Sequence, residues 1–338
     1  MRGQRVLVTG GEGFVGSHLC AALLQQGAEV VSFGHEGAPR GYFAREGLAD
    51  KVEVVRGDVS RPDDVSAVFA ERHLSYVFHL AARAIVGDAT QASAGALDSN
   101  VRGTYLVLDR CRALWDEGRG PLGGVVVASS ARVYGRAPSP HTEDMPLCAL
   151  GPYDASKVCA DVLTRSYARS FGLPAAVARC VNVYGPGDAN SSRIVPGTVA
   201  GVLSGQRPRI LSDGSPRRDY LYVADAVSGY LRIAACCGED GVRGEAFNLC
   251  TGVPTSVLEV TLAVCAACGR TDLEPEVLGA PGGVEDSDWA SYDRAREALG
   301  WRPRTDLEQG LLLTVRGHRR YDTGGLKSPA GTDAGSPP

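Results

Sequence analysis

Tyr153 and Lys157 stand four residues apart in the segment PYDASK, a spacing that places both on one face of a helix. A phenol with a pKa of about 10 is a poor base near neutrality. A lysine ammonium one turn away, together with a cationic cofactor ring, favours the phenolate by charge proximity. Such a phenolate takes the proton of a substrate hydroxyl while hydride leaves the same carbon. Ser130 follows the apolar run 125–128 and is placed to hydrogen-bond that oxygen, and Lys157 also to hold a cofactor ribose. Alone, Y-x-x-x-K is better read as a solvated helix pair. The serine, and a glycine turn near the N-terminus, favour the chemical reading.

That turn lies in TGGEGFVGSHL, residues 9–19. Val6, Leu7 and Val8 before it form a short β-branched run, the mark of a buried strand. Phe14, Val15, Leu19, Ala22 and Leu23 after it recur at helical spacing. Gly11, Gly13 and Gly16 fit G-x-G-x-x-G, and Gly10, Gly13 and Gly16 fit the G-x-x-G-x-x-G variant. Glycine is needed where the turn is tight, where backbone approaches a pyrophosphate, and where helix packs on strand. The helix N-terminus adds unsatisfied N–H donors and a positive dipole end. In a chain with 43 glycines the pattern alone is weak, and a glycine-rich connector is the plain alternative. Its place between strand and helix makes Gly10, Gly13, Phe14, Val15 and Gly16 candidate dinucleotide contacts.

The rest of the first half repeats strand and helix. Strand two is expected at 29–33; NAD enzymes usually place an acid just beyond, to hold the ribose. Gly34-His35-Glu36-Gly37 follows instead, so Glu36 is a candidate and Arg40 keeps NADP open. Strand three, at 52–55, leads to Asp58 and Val59. Asp58 either accepts from an adenine amino group or caps the helix starting at Pro62. Strand four, at 76–80, ends in Leu80-Ala81-Ala82, small enough for a dinucleotide to lie close. His79 reads as a packed core residue. A helix over 92–115 carries Asn100, a candidate support for the site. Strand five at 125–128, a helix over 153–171 and strand six at 175–179 complete an α/β fold with a doubly wound parallel (Rossmann) sheet. From Asn182 onward the texture changes. Residues 1–180 are expected to bind NAD, and 181–320 to form a smaller C-terminal substrate-binding domain with segments returning to the sheet. Residues 324–338 are expected to be a disordered tail.

Composition narrows the class. With 44% hydrophobic and 22% charged residues the 338-residue chain is an ordinary globular protein. A formal net charge of −4 offers nucleic acid no basic field, and no apolar run approaches bilayer length. The chain enters strand one at once, leaving no room for a signal peptide, so its ten cysteines read as reduced thiols in a cytoplasmic protein. Cys265 and Cys268 form a C-x-x-C within an apolar helical pattern and read as buried thiols; no metal is expected.

The motifs TGGEGFVGSHL, HLAAR, SSARVYG, PYDASK, RCVNVYGPGD and RRDYLYVADAV, in this order across residues 4–315, resemble the extended short-chain dehydrogenase/reductase family. More narrowly they resemble its nucleotide-sugar epimerases and 4,6-dehydratases. PYDASKVCAD, RIVPG and ILSDGSPRRDY look like a CDP-glucose 4,6-dehydratase-like branch. The resemblance implies tightly held NAD, transient oxidation at C4 of a nucleotide-diphosphate sugar, and a homodimer formed through a four-helix interface. It also implies that Asn182 and Arg218 contact the diphosphate. Arg193 joins them as a candidate, since a guanidinium fork suits a pyrophosphate.

One departure decides the expected outcome. The dehydratases of this group keep an acid, then Glu or Lys, directly after the catalytic Ser or Thr; here stand Ala131 and Arg132. Alanine is no acid and arginine no base. An epimerase is therefore favoured, with Arg132 binding a charged or hydroxyl-rich part of the sugar or serving as a surface charge. The alternatives are a dehydratase using Cys148 or Cys180, and a non-catalytic dinucleotide-binding protein, against which Ser130, Tyr153 and Lys157 argue. The base and the sugar are not legible.

Overall fold

The apolar runs become the strands of one parallel sheet. The computed structural model describes residues 1–35, 41–70, 72–83, 93–116, 122–279 and 287–322. Glu36, Arg40 and the tail at 324–338 lie outside them. Strands β1 (Arg5–Thr9), β2 (Glu29–Gly34), β3 (Glu53–Arg56), β4 (Tyr76–His79), β5 (Gly124–Ser130) and β6 (Ala175–Cys180) alternate with helices. These are α1 (Phe14–Gln25), α2 (Gly41–Arg45), α3 (Pro62–Phe69), α4 (Ser93–Leu97), α5 (Gly103–Asp116) and α6 (Pro152–Phe171). The sheet order, with β11 (Ala246–Leu249) at one edge, is β11-β6-β5-β4-β1-β2-β3. Every pairing in it is parallel. The order reverses between β1 and β4, and a crevice opens there beyond the carboxyl ends of the strands.

A sheet covered on both faces demands continuous apolar strands, and it has them. Leu7, Val31, Val77, Val125 and Val127 face one buried cluster. Val6, Val8, Val30, Phe78, Val126 and Ala178 face the other. Each fully buried side chain of this kind contributes about 1.5–3 kcal/mol. His79 is buried among them, bonded to the Thr9 hydroxyl at 2.8 Å and to Thr104 at 3.1 Å, and burial depresses its pKa to about 3. It is a core residue, as its place inside a strand suggests.

Two elements differ from the sequence pattern. β5 runs to Ser130, two residues past its apolar run, because Ser129 and Ser130 continue the register opposite Arg179 and Cys180. The helix expected over 92–115 is divided by a π-helical turn at Asp98–Arg102, which carries Asn100.

Beyond β6 the chain builds small two-stranded pieces. β7 (Asn182–Tyr184) pairs in parallel with β10 (Tyr220–Tyr222), and β8 (Arg209–Ile210) with β13 (Glu276–Val277). β9 (Arg217–Arg218) runs antiparallel to β12 (Thr255–Ser256). Between them run α7 (Ile194–Leu203), α8 (Val223–Cys236) and α9 (Val257–Cys268); α10 (Asp293–Leu299) and α11 (Leu307–Asp322) follow β13. Helix α8 packs on β5 and β6 beside α1, so part of the second half rests on the main sheet. Ser256 and Glu259 close a capping box on α9. Cys265 and Cys268 are buried in α9, in a cluster with Val199, Val260 and Leu311. Among the described residues no group of His, Cys, Asp or Glu is arranged to hold a metal ion, and no helix is long and apolar enough to cross a membrane.

Candidate active site

Helix α6 begins with Pro152 at its first turn after Gly151 and ends at Gly172 in the left-handed conformation. It presents Tyr153, Lys157 and Asp161 at successive turns, all buried. Asp161 receives both arms of Arg179, from β6, at 2.7 and 3.0 Å, and both side chains are fully buried. That fork fixes the depth and rotation of α6 against the sheet. Asp154, in the first turn, receives Arg132 at 2.7 and 3.3 Å. Asn100 ties the same helix to the chain beyond β4: its carbonyl oxygen accepts from Arg83 N–H, and its amide donates to Arg83 C=O and the Ser156 hydroxyl.

A cavity of about 560 Å³ opens where these elements meet the second half. Ser130, Tyr153 and Lys157 line it together. Ser130 ends β5 and starts a 3₁₀ turn at Ala131–Tyr134, its hydroxyl accepting from Arg132 N–H at 3.3 Å. Lys157 Nζ donates to the Ala128 carbonyl at 2.9 Å, and desolvation lowers its pKa to about 8. Burial raises the Tyr153 phenol; the Arg193 and Arg132 guanidiniums and the Ser130 hydroxyl pull it back down.

The glycine turn is built for close approach. Gly10 has φ +70, and a Cβ there would lie 2.8 Å from Ala81 N. One on Gly16 would lie 2.2 Å from the Gly10 carbonyl oxygen. Gly13 differs: its Cβ would meet only Gly10 O, at 3.2 Å, and its backbone is in the ordinary extended region. The space beside it is a second cavity of about 220 Å³, lined by Glu12, Gly13, Phe14 and Ser17 at the N-terminus of α1. Gly13 caps α1 without a side-chain acceptor, so the first N–H groups face this space. Open volume, a helix N-terminus and no side chain to block it fit a dinucleotide pyrophosphate. Val15, Leu80 and Ala82 line the larger cavity, whereas Ala81 N–H donates to the Thr9 hydroxyl at 3.2 Å.

Asp58 accepts from Ser60 N–H and its hydroxyl at 2.8 and 2.7 Å. The capping alternative fails, since Arg61 is the cap residue of α3. Val59 is buried against Gly103. Asn182, Arg193 and Arg218 all line the large cavity, on three separate segments. Asn182 donates to the Asp219 carbonyl at 3.3 Å, Arg193 pairs with Asp188 at 3.3 Å, and Arg218 donates to the Arg217 carbonyl at 2.8 Å. Arg132 lines the cavity with its side chain 45% exposed, so it is neither buried nor a plain surface charge. Ala131 packs with Val133 and Tyr134.

Of the two thiols, Cys148 is exposed and not part of the cavity wall. Cys180 is on the wall, but burial pushes its pKa up to about 11, which leaves it protonated near neutrality. Two wall residues were not legible. Tyr230, on α8, bonds the Cys180 thiol at 3.6 Å. Asp288 lies 3.3 Å from His141 and is brought in by its bridge to Arg218. Only the long-range pairing of that segment reveals it, and no local pattern signals it.

Residues 6–250 match the NAD dependent epimerase/dehydratase family. The chain belongs to this family. It is 34% identical to the UDP-glucose 4-epimerase of Mycolicibacterium smegmatis over 92% of its own length and 97% of that protein. The UDP-glucose 4-epimerase of Thermus thermophilus, solved in complex with NAD, superposes with a TM-score of 0.79 at 30% identity, covering 94% of this chain and 99% of that one. The dTDP-glucose 4,6-dehydratase of Bacillus anthracis, also solved with NAD, gives 0.80 at 25% identity over 95% and 98%. The protein is thus an NAD-dependent enzyme of the nucleotide-sugar epimerase and dehydratase group, and the pyrophosphate cradle fits that cofactor.

Proposed function

We propose that the protein is a nucleotide-sugar epimerase that inverts the sugar's C4 centre through a transient 4-keto sugar. The observation that carries this reading is the wall beside the reacting centre. Ser130, Tyr153 and Lys157 share the cavity, while the two following positions hold a packed methyl and a guanidinium bound to Asp154. Neither can protonate a leaving 6-hydroxyl or take the C5 proton. NAD, when bound, would supply a reversible hydride acceptor for C4. Tyr153 takes the proton of the C4 hydroxyl, Ser130 donates to the same oxygen, and Lys157 orients the cofactor ribose. Between the two hydride transfers the keto sugar must turn over.

Around this centre we assign Asn182, Arg193 and Arg218 to the diphosphate and Arg132 to the sugar. Gly10, Gly13, Phe14, Val15 and Gly16 would hold the cofactor pyrophosphate. Asp58 and Val59 would hold its adenine, and Leu80 to Ala82 would lie against it, with Asn100 fixing the floor. Residues 1–180 would be mainly the NAD unit and 181–320 mainly the sugar-nucleotide unit. Leu97, Tyr105 and Val162 leave apolar surface on α4, α5 and α6, which suits a homodimer through a four-helix interface. Ten free thiols suit a reducing cytoplasm.

A 4,6-dehydratase is the second reading, and Asp288 is the observation in its favour, being a carboxylate on the cavity wall. The test is product analysis of the wild-type enzyme with a panel of nucleotide sugars in deuterated water. An isomer of equal mass without solvent deuterium is expected. Loss of one water, with deuterium at C5 of a 4-keto-6-deoxy product, would overturn the epimerase.

A further inference from the structure

β2 closes without an acid. Its last residue is Gly34, where a Cβ would meet nothing within 4 Å, and the exposed His35 follows. NAD enzymes usually hold the adenosine ribose with an Asp or Glu beyond this strand. Here a cation stands across the opening. Arg56 ends β3 in register with Gly34, and its Nη1 donates to the His35 carbonyl at 3.0 Å. The same nitrogen donates to Oε1 of Glu12, the residue before Gly13 in the glycine turn. The Glu12 side chain is 18% exposed, lines the 220 Å³ cavity at the N-terminus of α1, and has an Oε2 that takes no part in this pair. An acid from the glycine turn and a cation from β3 thus meet at the end of β2, beside open space.

We propose that Glu12 receives the adenosine ribose and, by engaging Arg56, makes the enzyme select NAD over NADP. The proposal rests on the cofactor pyrophosphate lying beside Gly13. An arginine at this end of the crevice is the group that accommodates a 2′-phosphate. Glu12 opposes that in two ways. It takes up the guanidinium charge, and it sets a carboxylate where the phosphate would enter, so like charges would meet at close range. With Oε1 on Arg56, Oε2 remains to accept a ribose hydroxyl, which NAD offers at the 2′ position and NADP does not. The other charged groups here are His35 and Asp58, 3.9 Å apart, and Asp58 already accepts two bonds from Ser60. Without the Glu12 carboxylate, Arg56 would still be tied to the His35 carbonyl and would face the ribose as an unmasked cation.

The experiment reads which nucleotide the protein keeps. Purified enzyme is equilibrated with equal excesses of NAD and NADP, desalted and denatured, and the released nucleotides are separated and counted. Wild type should release NAD. Glu12→Gln should raise the ratio of NADP to NAD at least about tenfold, the scale of one hydrogen bond to a charged group. Glu12→Ala, which leaves no amide behind, should move the ratio the same way, and Glu12→Asp should keep NAD. Adding Arg56→Gln to Glu12→Gln should remove the gain in NADP. Adding Gly34→Asp instead should return the preference to NAD, since the space there is open and the new acid stands at the strand end. Wild-type ratios in Glu12→Gln and Glu12→Ala would overturn the proposal, and a shift in Glu36→Gln in their place would return the selection to the acid after β2. A double variant that keeps the NADP of Glu12→Gln would overturn the part given to Arg56. Undiminished nucleotide in Gly13→Val would instead remove the cradle, and the ratio in Glu12→Gln would still report whether this carboxylate selects.

Discussion

The two sides of the catalytic cavity are built in opposite ways. On the α6 side Tyr153 and Lys157 sit on one regular helix, whose buried anchors Asp154, Asp161 and Ser156 are bonded to three other segments. On the other side Asn182, Arg193 and Arg218 come from β7, the α7 cap and β9, and their side chains reach from partly exposed positions. The first side must hold a proton-transfer group within a fraction of an ångström. The second, if it takes the diphosphate as proposed, must admit and release a large anion. On the proposed reading, rigidity is concentrated where bonds would change, and partly exposed cations stand where the ligand would be recognised.

Breaking the anchor of the rigid side should have the largest effect. Arg179→Met leaves Asp161 fully buried, with only Arg165 at 3.9 Å in place of a two-armed partner. Removing one member of a buried ion pair costs about 3–5 kcal/mol. Urea unfolding should show that loss; an unchanged midpoint would mean that Asp161 takes up a proton at little cost and that the fork does not fix α6.

The chemical group itself comes next. Tyr153→Phe should keep substrate affinity and lower turnover by at least about 10²-fold, the scale of a positioned acid–base group. Normal turnover would reduce Tyr153 to a packed helix residue. Gly13→Val then tests the cofactor cradle. The backbone there is unstrained and the space beyond it open, so the fold should survive while the new side chain fills the pyrophosphate position. Denatured extracts should yield NAD from wild type and little from the variant; equal NAD contents would move the cofactor away from Gly13.

The same contrast explains what was legible in the sequence. Strand runs, the glycine turn and the Tyr153–Lys157 spacing are local patterns, and they appear in the structure where expected. The extension of β5 to Ser130 was not visible in hydropathy, because Ser129 and Ser130 are held by register with β6, not by apolar character. The π turn that carries Asn100 was not visible either, and the bonds of that side chain to Arg83 and Ser156 are long-range. Asp288 and Tyr230 reach the wall through pairings far apart in the chain, and no spacing rule finds them. Spacing places Lys157 beside Tyr153, but the bond of its ammonium to the Ala128 carbonyl comes from the sheet and no local pattern signals it.

The smallest expected effect is on the recognition side, at Arg193. Its side chain is 39% exposed and its partner Asp188 only 3% exposed, so the pair joins a reachable cation to a carboxylate with little water. Arg193→Ala should raise KM about tenfold, the loss of one charge-assisted contact of roughly 1.4 kcal/mol, with kcat nearly kept. A pH signature separates this from general damage. Burial already raises the Asp188 pKa, with Arg193 and the Asn190 N–H opposing it, and removing Arg193 raises it further. With the folded value above the unfolded one, the native state binds the extra proton, so stability falls as pH rises through that interval. The variant should therefore lose stability relative to wild type at pH 7 and recover part of it near pH 5. Arg193→Lys should restore stability more fully than KM, since a lysine neutralises Asp188 but cannot fork onto a diphosphate. Equal KM for all three proteins would place the diphosphate elsewhere, and the recognition side would then rest on Asn182 and Arg218.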